Sequence, residues 1–174
     1  MNAVTPLSHE GPCIDAALVQ RAARTVKRLK ENKLSVVTAE SCTAGLICAV
    51  LSQAEGAGET LHGSFVVYSK DHKALALGVD RELLRVHGAV NQATAGQMLA
   101  GALAHSPADL ALVVTGVLGP DPDEDGNPVG LVFLAAGRRD GESRTVRHEY
   151  GKQSHNVLRR QVVLDALALL EELI

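Results

Sequence analysis

A chain of 174 residues with a formal charge of −3 is long enough for one domain with a buried core and needs no disulfide staples to hold it. It lacks the basic excess that general nucleic-acid binding requires, so any anionic ligand must find a local cation or a helix terminus. Apolar residues make up 46% of the chain, yet it has two Phe, two Tyr and no Trp, so the core must be aliphatic.

No run approaches the roughly 18 apolar residues of a membrane helix, and the N-terminus lacks a charged-then-apolar signal. Cys13, Cys42 and Cys48 form neither a metal-spaced set nor an even disulfide framework. A reducing, cytoplasmic setting without a membrane partner is the expectation.

Residues 1–14, with Pro6, Gly11 and Pro12 and no periodicity, read as a flexible leader ahead of a single domain over 15–174. Asp15 reads as an N-cap. The helix after it places Leu18, Val19, Ala22, Ala23, Val26 and Leu29 on one face and leaves Arg21, Arg24, Lys27, Arg28 and Lys30 to a solvated one.

The stretch from Leu34 to Ala54 changes character halfway. LSVVTA is short and β-branched, as in a buried strand. From Thr43 the apolar positions Leu46, Ile47, Val50, Leu51 and Ala54 follow helical spacing. The spacing therefore predicts that Ser41 stands where a strand stops and a helix starts, with Glu40, Cys42 and Thr43 crowded into the same turn. Unpaired N–H groups at such a junction favour a developing oxyanion or a phosphate. From the turn alone, a plain N-cap role for Ser41 is the commoner reading.

Gly56 and Gly58 then open a loop, and Ser64 to Tyr68 forms a second strand ending in a tyrosine. SKDHKALALGV suggests a short helix carrying Lys70, Asp71, His72 and Lys73; one lysine can face the strand ends, although lysines near loops are ordinarily exposed. Another short helix spans Arg81 to Val86. Asn91 caps a longer one with Ala95, Met98, Leu99, Ala102 and Leu103 on its buried stripe. Asp109 to Thr115 is the most continuously apolar strand and the candidate sheet centre.

It runs into Gly116-Val117-Leu118-Gly119-Pro120, whose glycines allow close approach of backbone to a ligand, and then into a mobile acidic loop with Asp121, Asp123, Glu124 and Asp125. That loop does not meet the ligand spacing of a calcium site, so no metal is expected. Leu131 to Ala136 and Ser143 to Tyr150 form a hairpin around Arg139-Asp140-Gly141, the second strand an edge. A last helix runs from about Ser154 to Ile174. Its Arg159 and Arg160 stand early and its Glu171 and Glu172 late, against the helix dipole.

This order describes a three-layer α/β/α sandwich around a mixed, mostly parallel sheet. Ligands in such sheets sit beyond the strands' C-terminal ends. Three ends carry unusual residues: Ser41 with Thr43, Tyr68 with Lys73, and Thr115-Gly116 with Gly119-Pro120. If the three converge, they form one pocket.

The motifs TAESCTAGL, FVVYSKDHK, HGAV, TGVLGPD and NPVG, in this order over residues 15–174, resemble the CinA C-terminal domain family, in its stand-alone form without the extra N-terminal domain of larger members. The resemblance implies a nicotinamide-nucleotide amidase that converts nicotinamide mononucleotide to nicotinic acid mononucleotide and ammonia, with no cofactor. It implies a nucleophile at Ser41, a general base at Lys73 and a supporting Tyr68. Glu40, Cys42, Thr43, Thr115, Gly116, Gly119 and Pro120 would shape the site for a small nucleotide substrate, and Arg159 matches an arginine on the family's last helix. Members of this kind usually associate, which implies a homo-oligomer.

The chemistry suits these residue types. Amide hydrolysis needs a nucleophile, a base, a donor for the departing ammonia and a place for the oxyanion. Only roughly 0.04% of an ordinary lysine is neutral at pH 7, so Lys73 must be buried or lie beside another cation. Three alternatives stand beside this reading: His72 as the base, Cys42 as the nucleophile of a thiol amidase, and a nucleotide-binding module that does not hydrolyse its ligand. The chain departs from the family pattern at Ala44, where a second glycine is usual, at Leu118, where a small residue is usual, and at Asn91, where a serine is usual. An arginine before the last helix is replaced, with His155 nearest in register. These changes bear on substrate identity more than on reaction class.

Overall fold

The computed structural model describes residues 14–139 and 141–174. The expected leader lies outside the described residues except for Ile14, and so does Asp140 of the expected hairpin turn. The first helix, α1 (Ala16–Glu31), starts where Asp15 accepts a hydrogen bond from the Leu18 N–H at 2.9 Å, a side-chain cap. Leu18, Ala22, Val26 and Leu29 are buried on its inner face, while Val19 and Ala23 reach the surface.

The chain continues through β1 (Val36–Glu40), α2 (Leu46–Leu51), α3 (Ala57–Thr60), β2 (Leu61–Val66), α4 (Lys70–Leu77), α5 (Arg81–His87), α6 (Gln92–Ala104), β3 (Leu110–Gly116), β4 (Leu131–Arg138), β5 (Ser143–Glu149) and α7 (His155–Glu171). The single turn of α3 occupies ground expected to be loop. β2 starts and stops earlier than expected, which leaves Tyr68 beyond the strand, although the Val67 N–H still donates to the Glu40 carbonyl at 2.8 Å.

The sheet order is β2-β1-β3-β4-β5. β1 pairs in parallel with β2 and β3, and β4 is antiparallel to both β3 and β5. β4 alone opposes the other four strands, so the sheet is mixed and mostly parallel in strand direction. β3 stands at its centre and β5 at an edge, as the apolar patterns predict. Strand alternation divides the core in two. Leu110, Leu112 and Val114 face α1, α2 and α7, whereas Ala111 and Val113 face α4, α5 and α6.

The connection between β1 and α2 departs from expectation. The helix starts five residues after Ser41, and Gly45 holds its N-cap position at φ +89° without any side-chain cap. Ser41 to Gly45 form a separate turn, anchored where the Ser41 N–H donates to the Val114 carbonyl at 3.1 Å. Ala44 adopts a left-handed φ of +52°, a conformation costly for any residue with a Cβ. A glycine, which the family resemblance leads one to expect here, would adopt it at no such cost.

On the opposite face α6 packs closely on the end of α4. A Cβ on Gly101 would overlap the Leu77 carbonyl oxygen. Gly101→Ala is therefore expected to lower stability in urea denaturation by about 1–3 kcal/mol, despite alanine's better helix propensity.

Candidate active site

Two side chains that reason from composition would place in water meet under the sheet's C-terminal edge. Lys73 is only 1% exposed and Ser41 only 7%, and the lysine Nζ lies 2.8 Å from the serine Oγ. The Ser69 hydroxyl starts α4 by accepting from the His72 N–H, and one turn of helix then aims Lys73 inward. Nζ also lies 2.8 Å from the Val67 carbonyl and 3.4 Å from the Tyr68 carbonyl. Burial pulls the ammonium's pKa down from 10.5 to about 8, because the charged form loses water.

The serine turn is braced from beneath by Glu40, which is fully buried. Its carboxylate accepts from the Thr43 hydroxyl at 2.7 Å, the Ile47 N–H at 3.0 Å and the Cys48 N–H at 2.8 Å. The Thr38 hydroxyl at 3.3 Å and the Ser64 hydroxyl at 3.5 Å complete its surroundings. An acid from the preceding strand thus satisfies the N–H groups that α2 leaves uncapped. From above, Arg159 donates to the Thr43 carbonyl through Nε at 3.1 Å and Nη2 at 2.8 Å. Among the described residues, the Cys42 and Thr43 N–H groups make no hydrogen bond to another residue's main chain.

A cavity of about 460 Å³ opens over the pair, within the usual range of small-molecule sites. Ser41, Cys42, Lys73, Tyr68, Thr115, Gly116 and Gly119 line it, so the three strand ends do converge. Thr115 ties its end to the HGAV segment by donating to the Ala89 carbonyl at 2.8 Å. Glu40, Thr43, Pro120 and Arg159, expected at the substrate, do not line the cavity; Glu40, Thr43 and Arg159 belong to the brace. The Tyr68 phenol makes no hydrogen bond among the described residues, and its side chain faces solvent. It is the main-chain carbonyl of Tyr68 that meets Lys73.

Sequence reasoning missed the contribution of the acidic loop, Lys70 and His155 to the cavity wall. The acidic loop was expected to be mobile, but it is held at several points. Lys70 pairs with Glu124 at 2.8 Å and Asp125 at 2.7 Å, and Asp123 accepts from the Asn127 N–H and side-chain amide, both at 2.8 Å. Asp125 packs so closely on Gly88 that a Cβ there would collide with its carboxylate. Lys70 and Asp125 lie 55 residues apart, so no local pattern in the sequence announces this link.

Two alternatives lose ground. Burial pushes the Cys42 thiol up to about 12, so it holds almost no thiolate near neutrality. His72 sits on the exposed side of α4 and does not line the cavity. No group of three or more metal-ligating side chains occurs among the described residues, nor does any helix there that is long and apolar enough to cross a membrane.

The family model for the CinA C-terminal domain matches residues 19–174. The nicotinamide-nucleotide amidohydrolase PncC of Escherichia coli K12 is 36% identical over 156 residues, which cover 90% of this chain and 94% of that protein. A competence-damage inducible protein of Caldicellulosiruptor bescii is 39% identical over 145 residues. That match covers 78% of this chain but only 35% of the longer relative. In three dimensions, the competence/damage inducible protein CihA of Agrobacterium tumefaciens superposes with a TM-score of 0.88 at 38% identity, over 92% of this chain and 97% of that one. The chain belongs to the CinA C-terminal domain family.

Proposed function

We propose that the protein hydrolyses the carboxamide of nicotinamide mononucleotide, with Ser41 as nucleophile and Lys73 as general base. The observation that carries this reading is the environment of the Lys73 amine. A neutral lysine has two N–H bonds and one lone pair. The Val67 and Tyr68 carbonyls can accept the two protons, which leaves the lone pair for the Ser41 hydroxyl at 2.8 Å.

In this mechanism Ser41 Oγ attacks the carboxamide carbon as its proton passes to Lys73 Nζ. The oxyanion meets the Cys42 and Thr43 N–H groups, in the manner of donors that follow a nucleophile on a tight turn. The ammonium of Lys73 then protonates the departing nitrogen, and the C–N bond breaks to release ammonia and leave an ester on Ser41. Lys73, neutral again, takes a proton from water as the water oxygen attacks the ester carbon. The C–O bond to Ser41 then breaks, Lys73 returns that proton to Oγ across 2.8 Å, and the product leaves as a carboxylic acid that ionises in water. Glu40 and Arg159 position the turn without touching the reacting atoms. The identity to PncC over nearly its whole length supports the substrate. The two described cysteines are free, in keeping with a reducing cytoplasm.

Ammonia release from nicotinamide mononucleotide, measured with chelator present, tests the reading. Ser41→Ala is expected to lose at least about a thousandfold in kcat while remaining folded. A folded wild-type protein without turnover would instead support a nucleotide-binding module. Because only the neutral amine acts as base, kcat/KM should rise with pH through a midpoint near 8 rather than near 10.5. A midpoint below 7 would point to a different base.

The same burial carries a stability signature. Between about pH 8 and 10.5 the unfolded lysine holds a proton that the folded one has lost, so stability rises with pH across that window. Below it, the folded protein bears the full cost of an interior charge. Lys73→Met removes that charge, so the stability of the variant relative to wild type should be greatest below pH 8 and decline toward pH 10.5 in urea titrations. A pH-independent difference would show that Lys73 is not desolvated.

A further inference from the structure

Of the chain's four aromatic residues, three are packed. Phe133 is buried, Phe65 meets the His105 ring edge-on at 6.5 Å, and Tyr150 stacks on His148 at 5.1 Å. Tyr68 is 71% exposed, yet it lines the cavity beside Ser41. Its backbone is tied to the proposed catalytic pair through the carbonyl that meets Lys73, and its ring has no aromatic or hydrogen-bonding partner among the described residues. An exposed ring held at a cavity mouth exposes an apolar face whose quadrupole attracts cations.

The rest of that mouth favours the same charge. Asp121, Asp123, Glu124 and Asp125 all line the cavity. Of the two lysines that α4 brings to the cavity, Lys70 is already engaged by Glu124 and Asp125 and Lys73 is buried against Ser41, while the Asp121 side chain has no partner among the described residues. The wall around Tyr68 is therefore net negative, although the substrate carries a phosphate.

We infer that Tyr68 is a specificity-determining residue whose ring stacks on a cationic N-alkylpyridinium, with the acidic loop supplying the surrounding field, so that the cavity prefers a charged heteroaromatic carboxamide to a neutral one. This rests on the amidase reading for the orientation: the carboxamide lies at Ser41 and the ring extends outward past Tyr68. The nicotinamide ring of the mononucleotide is N-glycosylated and positively charged, as this surface requires. The role of Tyr68 is thus binding through its π-face, and the phenolic hydroxyl is dispensable for it.

The test uses two probes of similar shape, 1-methylnicotinamide, which is a cation, and benzamide, which is neutral. Each is titrated by NMR into the full chain of the wild type, Tyr68→Phe and Tyr68→Ala. The wild type should bind the cation more tightly. Tyr68→Phe should keep that preference, and Tyr68→Ala should reduce it by about threefold to thirtyfold, the span expected of a cation–π contact between exposed and desolvated settings.

An unchanged preference in Tyr68→Ala overturns the inference, and so does an equal loss in Tyr68→Phe, which would assign the effect to the hydroxyl. Binding of neither probe to the wild type also overturns it. Ammonia release from the mononucleotide is measured separately on the same wild-type sample. Turnover without a cation preference would leave the amidase standing and remove the stacking role. A Tyr68-dependent preference without turnover would leave the cation site and remove the amidase.

Discussion

An amine held away from water is the constraint around which the rest of this molecule is arranged. Placing Lys73 in the interior costs several kcal/mol when it is charged, and the structure reduces that cost by letting it lose a proton. Two main-chain carbonyls just beyond β2 receive its N–H bonds. The edge of the sheet, the start of α4 and the packing of α6 on α4 through Gly101 all serve to keep that amine dry. A looser α4 would hydrate Lys73 and return it to an ordinary ammonium with no basic character at neutral pH.

The second requirement is a serine that cannot wander, and it is met by an unexpected means. A helix start was the anticipated support, yet α2 is short and begins past the turn with a glycine at its N-cap. The carboxylate of Glu40 enters the space where a cap would be and gathers donors from β1, the turn and α2. Buried anions survive only when so fully satisfied. Glu40 and Arg159 grip the turn from opposite sides of its backbone, one through a side-chain hydroxyl and helix N–H groups, the other through the Thr43 carbonyl.

Much of this was legible in the residues. Apolar periodicity located every strand and the three long helices, and the unusual residues at three strand ends foretold the cavity. Periodicity drew attention to Ser41 at the end of its strand, and the motif resemblance supplied the roles expected of Ser41 and Lys73. What escaped depends on contacts far apart in sequence. Lys73 looked like any loop-proximal lysine because nothing nearby announces burial; its partner Ser41 lies 32 residues away. The Ser41 turn was read as the first turn of a helix because its apolar spacing fits one, and only the left-handed backbone at Ala44 and Gly45 separates the two. The charges that oppose the dipole of α7 also find their reason at long range. Arg160 pairs with Asp15, Glu171 receives Arg21, Arg24 and the Thr25 hydroxyl, and Glu172 pairs with Arg144.

The Arg159 contact also orders events during synthesis. Ser41 and Lys73 leave the ribosome early, together with the strands that bring them near one another, while the guanidinium that fixes the serine turn is 116 residues behind Thr43. Domains fold largely as units once their parts are available, so a nascent chain lacks the means to hold the Ser41 turn until both the Val114 carbonyl and the last helix have emerged. The turn receives its last support only when α7 docks against α1 and brings Arg159 to the Thr43 carbonyl. A lesion that prevents that docking would loosen the Ser41 turn beside Lys73 while leaving both of those residues untouched.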